Sequence, residues 1–272
     1  MMLTPTPMVG PKRVIEIADD FFGERGHALS EYAQLLWLEE HLEEITAGHD
    51  YIRLFQYRRF VSEMSMGHEE WNKSWTWIST PRLEEASSDF DRFSGNELFN
   101  QIVLLEGGVS FQYAMSHVAE DIVNFAKFLK IRRILNDAEI LDFLTSDKLI
   151  PACSTGTYKI DTFRVIFRQL RLAAEFLNSE YYNERSGKQR RVGGFLLERL
   201  NSYLLIRHIR ENSETCKFGQ YIMVDDEKIS KQIMRRFYEV FYRIALILGD
   251  YTQKNVAGVR IGNRVKAVLT DA

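Results

Sequence analysis

The chain has 272 residues, and its 35 Lys and Arg against 38 Asp and Glu give a formal net charge of −3. With 45% hydrophobic and 27% charged residues, the composition is that of an ordinary globular protein, which excludes a disordered or low-complexity chain. The near-neutral charge argues against a dedicated nucleic-acid binder, because such proteins carry an excess basic field.

The cysteine count and hydropathy bear on the compartment. Two cysteines, Cys153 and Cys216, do not make a disulfide framework and fit a reducing compartment. No run of about 18 apolar residues is found, and the first residues lack the apolar stretch of a secretory signal. We therefore expect a cytoplasmic protein, and we take residues 1–272 as one domain.

The N-terminal half alternates short strands with helices. Apolar spacing predicts a helix over residues 30–45, and the aromatic and branched residues of 51–61 predict a strand. Residues 62–97 are polar and Trp-rich, and predict a long loop of the kind that is often functional. A short strand is predicted at 101–105.

The later part of the chain is mostly helical. A basic, glycine-bearing loop is predicted at 183–194 and a strand at 218–224. The order of elements favours an α/β layer with a largely helical C-terminal half. Predicted helices cover residues 111–131, 138–144, 161–178, 195–210 and 226–248.

Two adjacent arginines lie in the predicted strand 51–61. Consecutive residues of a strand point to opposite faces, so Arg58 and Arg59 cannot both reach solvent if the sheet is covered on both sides. One of them would then enter a cleft, where a guanidinium needs a partner. It would hold a phosphate there, or it would pair with an acid and fix two elements together.

A histidine and an aspartate share one face of the predicted helix 111–131. Tyr113, His117 and Asp121 are spaced i, i+4 and i+8, and Gln112 lies beside them. Asp121 can orient the His117 ring and leave the other ring nitrogen for a substrate. The alternative is that His117 is a hydrogen-bonded structural residue.

The loop before the helix at 195–210 has the chemistry of an anion site. Arg190 and Arg191 precede Gly193 and Gly194, and a helix N-terminus presents free N–H groups. This combination suits a diphosphate, although the same residues are also typical of a solvated flexible loop. Glu198 and Arg199 follow on the helix and are candidates for a structural pair.

Two further features of the predicted loop 62–97 have two interpretations each. Asp89 and Asp91 can hold a divalent cation that bridges nucleotide phosphates, or they are a chance pair of acids in a polar loop. Trp71, Trp75 and Trp77 can stack on sugars or belong to the core. Motifs of P-loop, Rossmann, zincin, α/β-hydrolase and thioredoxin proteins are absent from the sequence.

Four segments together resemble a bacterial glycosyltransferase-like family, a domain of unknown function associated with capsular and exopolysaccharide biosynthesis. The family patterns are Tyr-x-Glu-Leu-Thr-Ala-x-Tyr-Trp, Tyr-Ile-Gly-Leu-x-His-Tyr-Arg-Arg, Gln-Tyr-x3-His-x3-Asp and Gly-x3-Glu-Arg-Leu. In the same order, this sequence has EYAQLLW at 31–37, DYIRLFQYRRF at 50–60, QYAMSHVAED at 112–121 and GFLLERL at 194–200.

The resemblance implies a GT-A-like α/β fold, a mixed sheet flanked by helices, and transfer of a sugar from a nucleotide-sugar to a saccharide or other hydroxyl acceptor. It implies that the four segments converge on one cleft, where Arg58, Arg59, His117, Asp121, Glu198 and Arg199 line or brace the donor site. Our hypothesis for the reaction adds His117 and Asp121 as candidate catalytic residues and a divalent cation, Mn²⁺ or Mg²⁺, at Asp89 and Asp91. From the residues and the resemblance together, the candidate donor-binding residues are Tyr57, Arg58, Arg59, Gln112, Tyr113, Arg190, Arg191, Gly194, Glu198 and Arg199.

The sequence departs from the family in three places. Gln56 stands where the family has His, and residues 154–157 replace an Asn-Met-Phe block. The family's first strand is missing or much shortened, so the N-terminal nucleotide-binding part is reduced. This motivates an alternative, a catalytically inactive scaffold that binds a sugar or a partner on the same fold.

The predicted helix 226–248 offers a third hypothesis. It carries Arg235, Arg236 and Arg243 among apolar residues, and a basic amphipathic helix can lie on the inner membrane surface. The protein would then be peripheral to that membrane. The simpler interpretation is a helix packed against the rest of the chain.

Overall fold

The computed structural model of the protein describes residues 26–56, 58–63, 68–69, 76–79, 83 and 94–224. Within them, a mixed β-sheet is flanked by helices. The helices are α1 (Tyr32–Glu40), α2 (Leu42–Thr46), α3 (Gly108–Ser116), α4 (Ala119–Ile131), α5 (Asp137–Thr145), α6 (Ile160–Ala174) and α7 (Val192–Glu211). The strands are β1 (Tyr51–Leu54), β2 (Arg59–Ser62), β3 (His68–Glu69), β4 (Thr76–Ile78), β5 (Glu97–Asn100), β6 (Val103–Leu104), β7 (Lys148–Leu149), β8 (Gly156–Lys159) and β9 (Cys216–Val224).

The larger sheet is organised around its long last strand. The strand order is β1-β8-β5-β9-β4-β3, and β2 pairs with β9 outside this path. β9 runs parallel to β5 and β4, whereas the other pairs of this sheet are antiparallel. β9 has nine residues, so its first half pairs with β5 and its second half with β2 and β4. β6 and β7 form a separate two-stranded sheet.

Helix α7 runs through the interior of the described chain. It packs against α4, α6 and β7, and it is buried on nearly all sides. The apolar residues of α6 recur every three or four positions, so α6 buries one face beside it. Since α7 also carries Arg199, Asn201 and Ser202 into the core, the polar groups of these residues need partners inside the protein.

Several predicted elements are confirmed. The predicted helices at 138–144 and 195–210 correspond to α5 and α7, and the one at 161–178 corresponds to α6 followed by a short 3-10 helix at Glu175–Asn178. The strand predicted at 218–224 lies within β9, and the helix at 30–45 is present as α1 and α2. Asn136 caps α5 and accepts a hydrogen bond from the Glu139 N–H at 3.0 Å.

Two predicted elements are wrong because each spans a break in the chain direction. Residues 51–61 are two strands, since Gln56 and Arg59 exchange backbone hydrogen bonds at 3.0 Å and the chain turns back between them. β1 then pairs with β8, and β2 with β9. The predicted helix 111–131 divides into α3 and α4, because His117 has extended dihedrals, φ −136° and ψ 175°.

The predicted α/β class, with a mixed sheet flanked by helices and a largely helical later part, is confirmed. β3 and β4 lie within the predicted loop 62–97. Asp89, Asp91, Tyr57 and the predicted helix 226–248 are outside the described residues. Where the chain is described, none of its helices combines the length and the apolar character needed to span a bilayer.

Candidate functional site

Polar side chains from distant segments meet around Glu198 in the first half of α7. Gln56 Nε2 donates to Glu31 Oε1 at 3.3 Å, and Arg191 Nη2 lies 3.3 Å from Glu31 Oε2. Arg199 Nη1 donates to Glu198 Oε2 at 2.6 Å. We call Glu31, Gln56, Arg191, Glu198 and Arg199 the Glu198 cluster. Four of the five lie in segments on which the family resemblance depends, and Arg191 lies just before one of them.

Arg199 is the buried cation of this cluster. Its side chain is 7% exposed, and besides Glu198 it donates to the Phe195 carbonyl at 3.2 Å and to Gln112 Oε1 at 3.1 Å. Its guanidinium carbon lies 5.7 Å from the centre of the Tyr113 ring. Nε is buried without a hydrogen-bond partner among the described residues. A buried guanidinium with a free donor is a candidate for binding an oxygen atom of a ligand.

Tyr113 carries a second unsatisfied polar atom next to Arg199. Its side chain is buried, and the described residues offer no hydrogen-bond partner to its hydroxyl. Burial is the main reason that the pKa of Tyr113 is raised, so the hydroxyl stays protonated at neutral pH. An unsatisfied buried hydroxyl is costly, and a ligand or water oxygen that accepted its proton would remove this cost.

The electrostatic balance around Glu198 is positive once Arg59, which lies outside the cluster, is counted with it. Burial raises the pKa of Glu198, and the neighbouring Glu31 raises it further, while Arg199, Arg59 and Arg191 lower it. Three arginines therefore surround two glutamates, which leaves one excess positive charge. Arg59 and Arg191 are exposed, so their guanidinium groups remain accessible to an anion from solvent.

His117 has different partners from those predicted. Its Nδ1 lies 3.1 Å from Gln189 Oε1, and its ring stacks on Phe195 with the ring centres 4.1 Å apart. The pKa of His117 is lowered, chiefly by burial. The prediction that Asp121 orients this ring is wrong, because the helix breaks at His117 and the face shared by Tyr113, His117 and Asp121 is lost.

Asp121 is paired with Arg185 instead. Arg185 Nη2 donates to Asp121 Oδ1 at 2.7 Å, and Arg185 Nε lies 3.2 and 3.3 Å from the two carboxylate oxygens. The Asp121 side chain is 3% exposed. The pair ties the loop before α7 to the first turn of α4, so its direct effect is on the position of that loop.

The two glycines predicted to admit an anion have a packing role. Gly193 and Gly194 lie inside α7 and are buried. A Cβ on Gly194 would meet the Leu29 carbonyl oxygen at 2.9 Å, and one on Gly193 would meet the Ala28 carbonyl oxygen at 3.0 Å. These glycines therefore allow the segment before α1 to approach the helix closely.

The adjacent arginines are both exposed, which contradicts the prediction that one of them enters a covered cleft. Strand alternation does not apply to Arg58, because it lies in the turn with φ 61°. Arg59 begins β2, bonds to the Tyr221 hydroxyl and lowers the pKa of Glu198. Arg190, in the 3-10 helix at Gly187–Arg191, is also exposed.

Some residues of this region were missed by the sequence reasoning. Glu31 and Gln56 lie in two of the segments that carry the family resemblance, and this position in the sequence is the signal that could have identified them. Arg185 and Gln189 lie in the predicted basic loop, but nothing in the sequence indicates that they contact Asp121 and His117.

A metal-binding group occurs elsewhere. Asp89 and Asp91 are outside the described residues, so the predicted cation site stays a prediction. Within the described part of the chain, Glu97, His208 and Cys216 have ligand atoms within 4.8 Å of one another. His208 lies ten residues after Glu198 on α7, which is about 15 Å along the helix axis. A metal there would lie too far away to contact a diphosphate held by the Glu198 cluster.

Of the comparisons with known proteins, the one with solved structures gives a match. No protein-family model matches the sequence, and no curated protein matches it. The structure is similar to the apo structure of the bifunctional glycosyltransferase WbbM, with a TM-score of 0.58 and 15% identity. The match covers 75% of this chain but 38% of the WbbM chain. The likeness shows a shared fold, in agreement with the expected glycosyltransferase-like class.

Proposed function

We propose that the protein is a glycosyltransferase that moves a sugar from a nucleotide-sugar donor to a saccharide or other hydroxyl acceptor. The fold likeness to a bifunctional glycosyltransferase carries the proposal. The Glu198 cluster and the neighbouring Arg59 support it. Their excess positive charge, the unsatisfied Tyr113 hydroxyl and Arg199 Nε suit an oxygen-rich anion.

In this proposal the arginines hold the donor diphosphate. Arg59 and Arg191 supply exposed guanidinium groups, which form paired hydrogen bonds with phosphate oxygens. Arg199 lies deeper and is fixed by Glu198 and Gln112. Arg190, Arg58 and Tyr57 are further donor-binding candidates from the sequence.

Catalysis would come mainly from positioning and from neutralisation of the leaving diphosphate. His117 is the candidate base, because its lowered pKa keeps the imidazole neutral and Gln189 occupies only Nδ1. Asp121 acts as a positioning residue, since Arg185 fixes the loop that carries Gln189. Mn²⁺ or Mg²⁺ at Asp89 and Asp91 would add charge neutralisation at the diphosphate.

A thermal-shift screen with UDP-, GDP-, CMP- and dTDP-sugars, each with and without Mn²⁺, tests the proposal. A donor present at about 100 times its Kd adds roughly 2.7 kcal/mol to the free energy of unfolding. Arg59→Ala removes a charge-assisted contact worth about 1.5–3 kcal/mol, so the Kd should rise roughly 10- to 100-fold. Arg132→Ala is the matched control, because Arg132 is also exposed but follows α4.

Two results would contradict the proposal. The first is the absence of a shift with any nucleotide-sugar, which would favour the catalytically inactive scaffold. The second is a shift that Arg132→Ala reduces as much as Arg59→Ala does, because binding would then depend on overall charge. Release of the nucleoside diphosphate in the presence of a saccharide acceptor separates transfer from binding alone.

A further inference from the structure

A second group of polar residues lies at the far end of α7 from Glu198. Glu97 and Cys216 are direct neighbours in the parallel register of β5 and β9. His208 reaches them from the last turns of α7. Glu97 lies 111 residues before His208 and 119 before Cys216, and the sheet and the helix bring the three residues together.

The ligand atoms have the spacing of a small metal site. Glu97 Oε2 lies 2.7 Å from His208 Nε2 and 3.7 Å from Cys216 Sγ. Tetrahedral zinc, with bonds of about 2.0–2.3 Å, holds its ligand atoms about 3.3–3.8 Å apart. The carboxylate and the sulfur already have this separation, and the imidazole needs to move by about half an ångström.

Outer hydrogen bonds fix the orientation of two of these side chains. The Lys159 N–H donates to Glu97 Oε1 at 3.0 Å, which turns the other carboxylate oxygen toward His208 and Cys216. The side-chain amide of Asn212 lies 3.3 Å from His208 Nδ1. This amide also donates to the His208 carbonyl at 3.0 Å. Binding of a metal at Nε2 requires the amide to exchange that bond for one from a protonated Nδ1 to its oxygen, the role of outer-shell partners of metal-bound histidines.

The position has an open side. The Glu97 side chain is 1% exposed and that of His208 is 20% exposed. His208 and Thr162 also line a pocket of about 270 Å³, so solvent can approach the group from the side of the imidazole. Since a glutamate and a cysteine thiolate carry two negative charges, a divalent cation would neutralise this partly buried group.

The simpler interpretation is an acid–imidazole hydrogen bond with a neutral thiol beside it. Without a metal, burial and the Glu97 carboxylate raise the pKa of Cys216 to about 11, and the thiol stays protonated. The set of ligands favours the metal, because oxygen, nitrogen and sulfur donors together are typical of zinc, and magnesium and calcium avoid sulfur.

We propose that Glu97, His208 and Cys216 form a zinc-binding site with an open fourth position, separate from the proposed donor site. The test uses the full chain, reduced, stripped with a chelator and titrated with Co²⁺ as a spectroscopic substitute for Zn²⁺. We expect one equivalent to bind and to produce a thiolate-to-cobalt charge-transfer absorption. Zn²⁺ should displace it.

Substitutions assign the site. Cys216→Ser should abolish the charge-transfer band, and Cys153→Ser, at the other free cysteine, should retain it. Loss of an outer hydrogen-bond partner weakens metal binding roughly 10- to 100-fold, and Asn212→Ala should weaken Co²⁺ binding within that range. His208→Gln, which removes a ligand, should weaken Co²⁺ binding by more.

Three outcomes would overturn the proposal. They are the absence of a thiolate–cobalt band in the unsubstituted chain, a band that Cys153→Ser removes and Cys216→Ser keeps, and cobalt affinity that His208→Gln leaves unchanged. If Cys216→Ser does not fold, the band of the unsubstituted chain and its loss in His208→Gln decide the matter. Nucleotide-sugar binding is measured on the same samples, so failure of one site is distinguishable from failure of the other.

Discussion

The ion pair between Arg185 and Asp121 should contribute measurably to folding. Three short contacts of 2.7, 3.2 and 3.3 Å join the two side chains, which are 24% and 3% exposed. At an effective dielectric constant of 20, unit charges about 4 Å apart attract each other by about 4 kcal/mol. Water reaches part of Arg185 and screens the pair, so we expect a coupling free energy of about 1–3 kcal/mol.

A double-mutant cycle with Arg185→Met and Asp121→Asn, followed by urea unfolding, measures this coupling. Arg185→Met alone should cost most, because it leaves a buried carboxylate without its cation. The exposed pair Arg210–Asp142, with a 3.8 Å contact and both side chains 52% exposed, is the matched control and should couple by less than about 1 kcal/mol. Equal coupling in the two pairs would refute the reasoning from burial.

The pH dependence gives a second check on the same pair. Burial raises the pKa of Asp121 and Arg185 lowers it, so Arg185→Met should raise that pKa further. An acid with a raised folded-state pKa destabilises the protein above that pKa, and the loss disappears as the pH falls through it. The stability deficit of Arg185→Met should therefore be full at neutral pH and should shrink on acidification. A deficit that grows on acidification would contradict this assignment.

The remaining predictions concern packing, ionisation and a helix cap. Gly194→Ala gains about 1 kcal/mol of helix propensity but forces a Cβ to 2.9 Å from a neighbouring carbonyl oxygen. We expect urea unfolding to show a net loss of about 1 kcal/mol in the free energy of unfolding. Gly26→Ala, with open space around it, should lose no stability. An NMR titration should place the pKa of His117 below its ordinary value of 6.5, and Gln189→Leu should lower it further, because the Gln189 hydrogen bond raises it. Asn136→Ala, which removes the cap of α5, should cost about 1 kcal/mol by the same unfolding assay.

Local periodicity was sufficient to predict most of the helices. α6 has apolar residues at three- and four-residue spacing, and the Asn136 cap marks where α5 begins. The same reasoning failed at 51–61 and at His117, where the composition continues but the chain direction changes. At both places tertiary structure decides: β1 and β2 pair with the distant β8 and β9, and the ring of His117 stacks on Phe195.

The sites were less predictable than the fold because they depend on contacts between distant residues. The family resemblance selected Arg199, Glu198 and Gln112, which the structure brings together. It did not identify the neighbour of Asp121, since Arg185 lies 64 residues later in a loop. The group at Glu97 has no local motif at all, because the register of two parallel strands and the direction of α7 create it.

The departures from the family pattern at Gln56 and Ser154 are linked in the structure. Gln56 Nε2 donates to Ser154 Oγ and also to Glu31 Oε1, although 98 residues separate the first pair. The Gln56 amide and the Ser154 hydroxyl are removed from most of the solvent, so changing either residue alone would cost the other a hydrogen bond. Glu31 in turn contacts Arg191. Gln56, which is fixed by Ser154, and Arg191 therefore hold Glu31 from two directions, and Arg191 keeps its acidic neighbour beside Glu198.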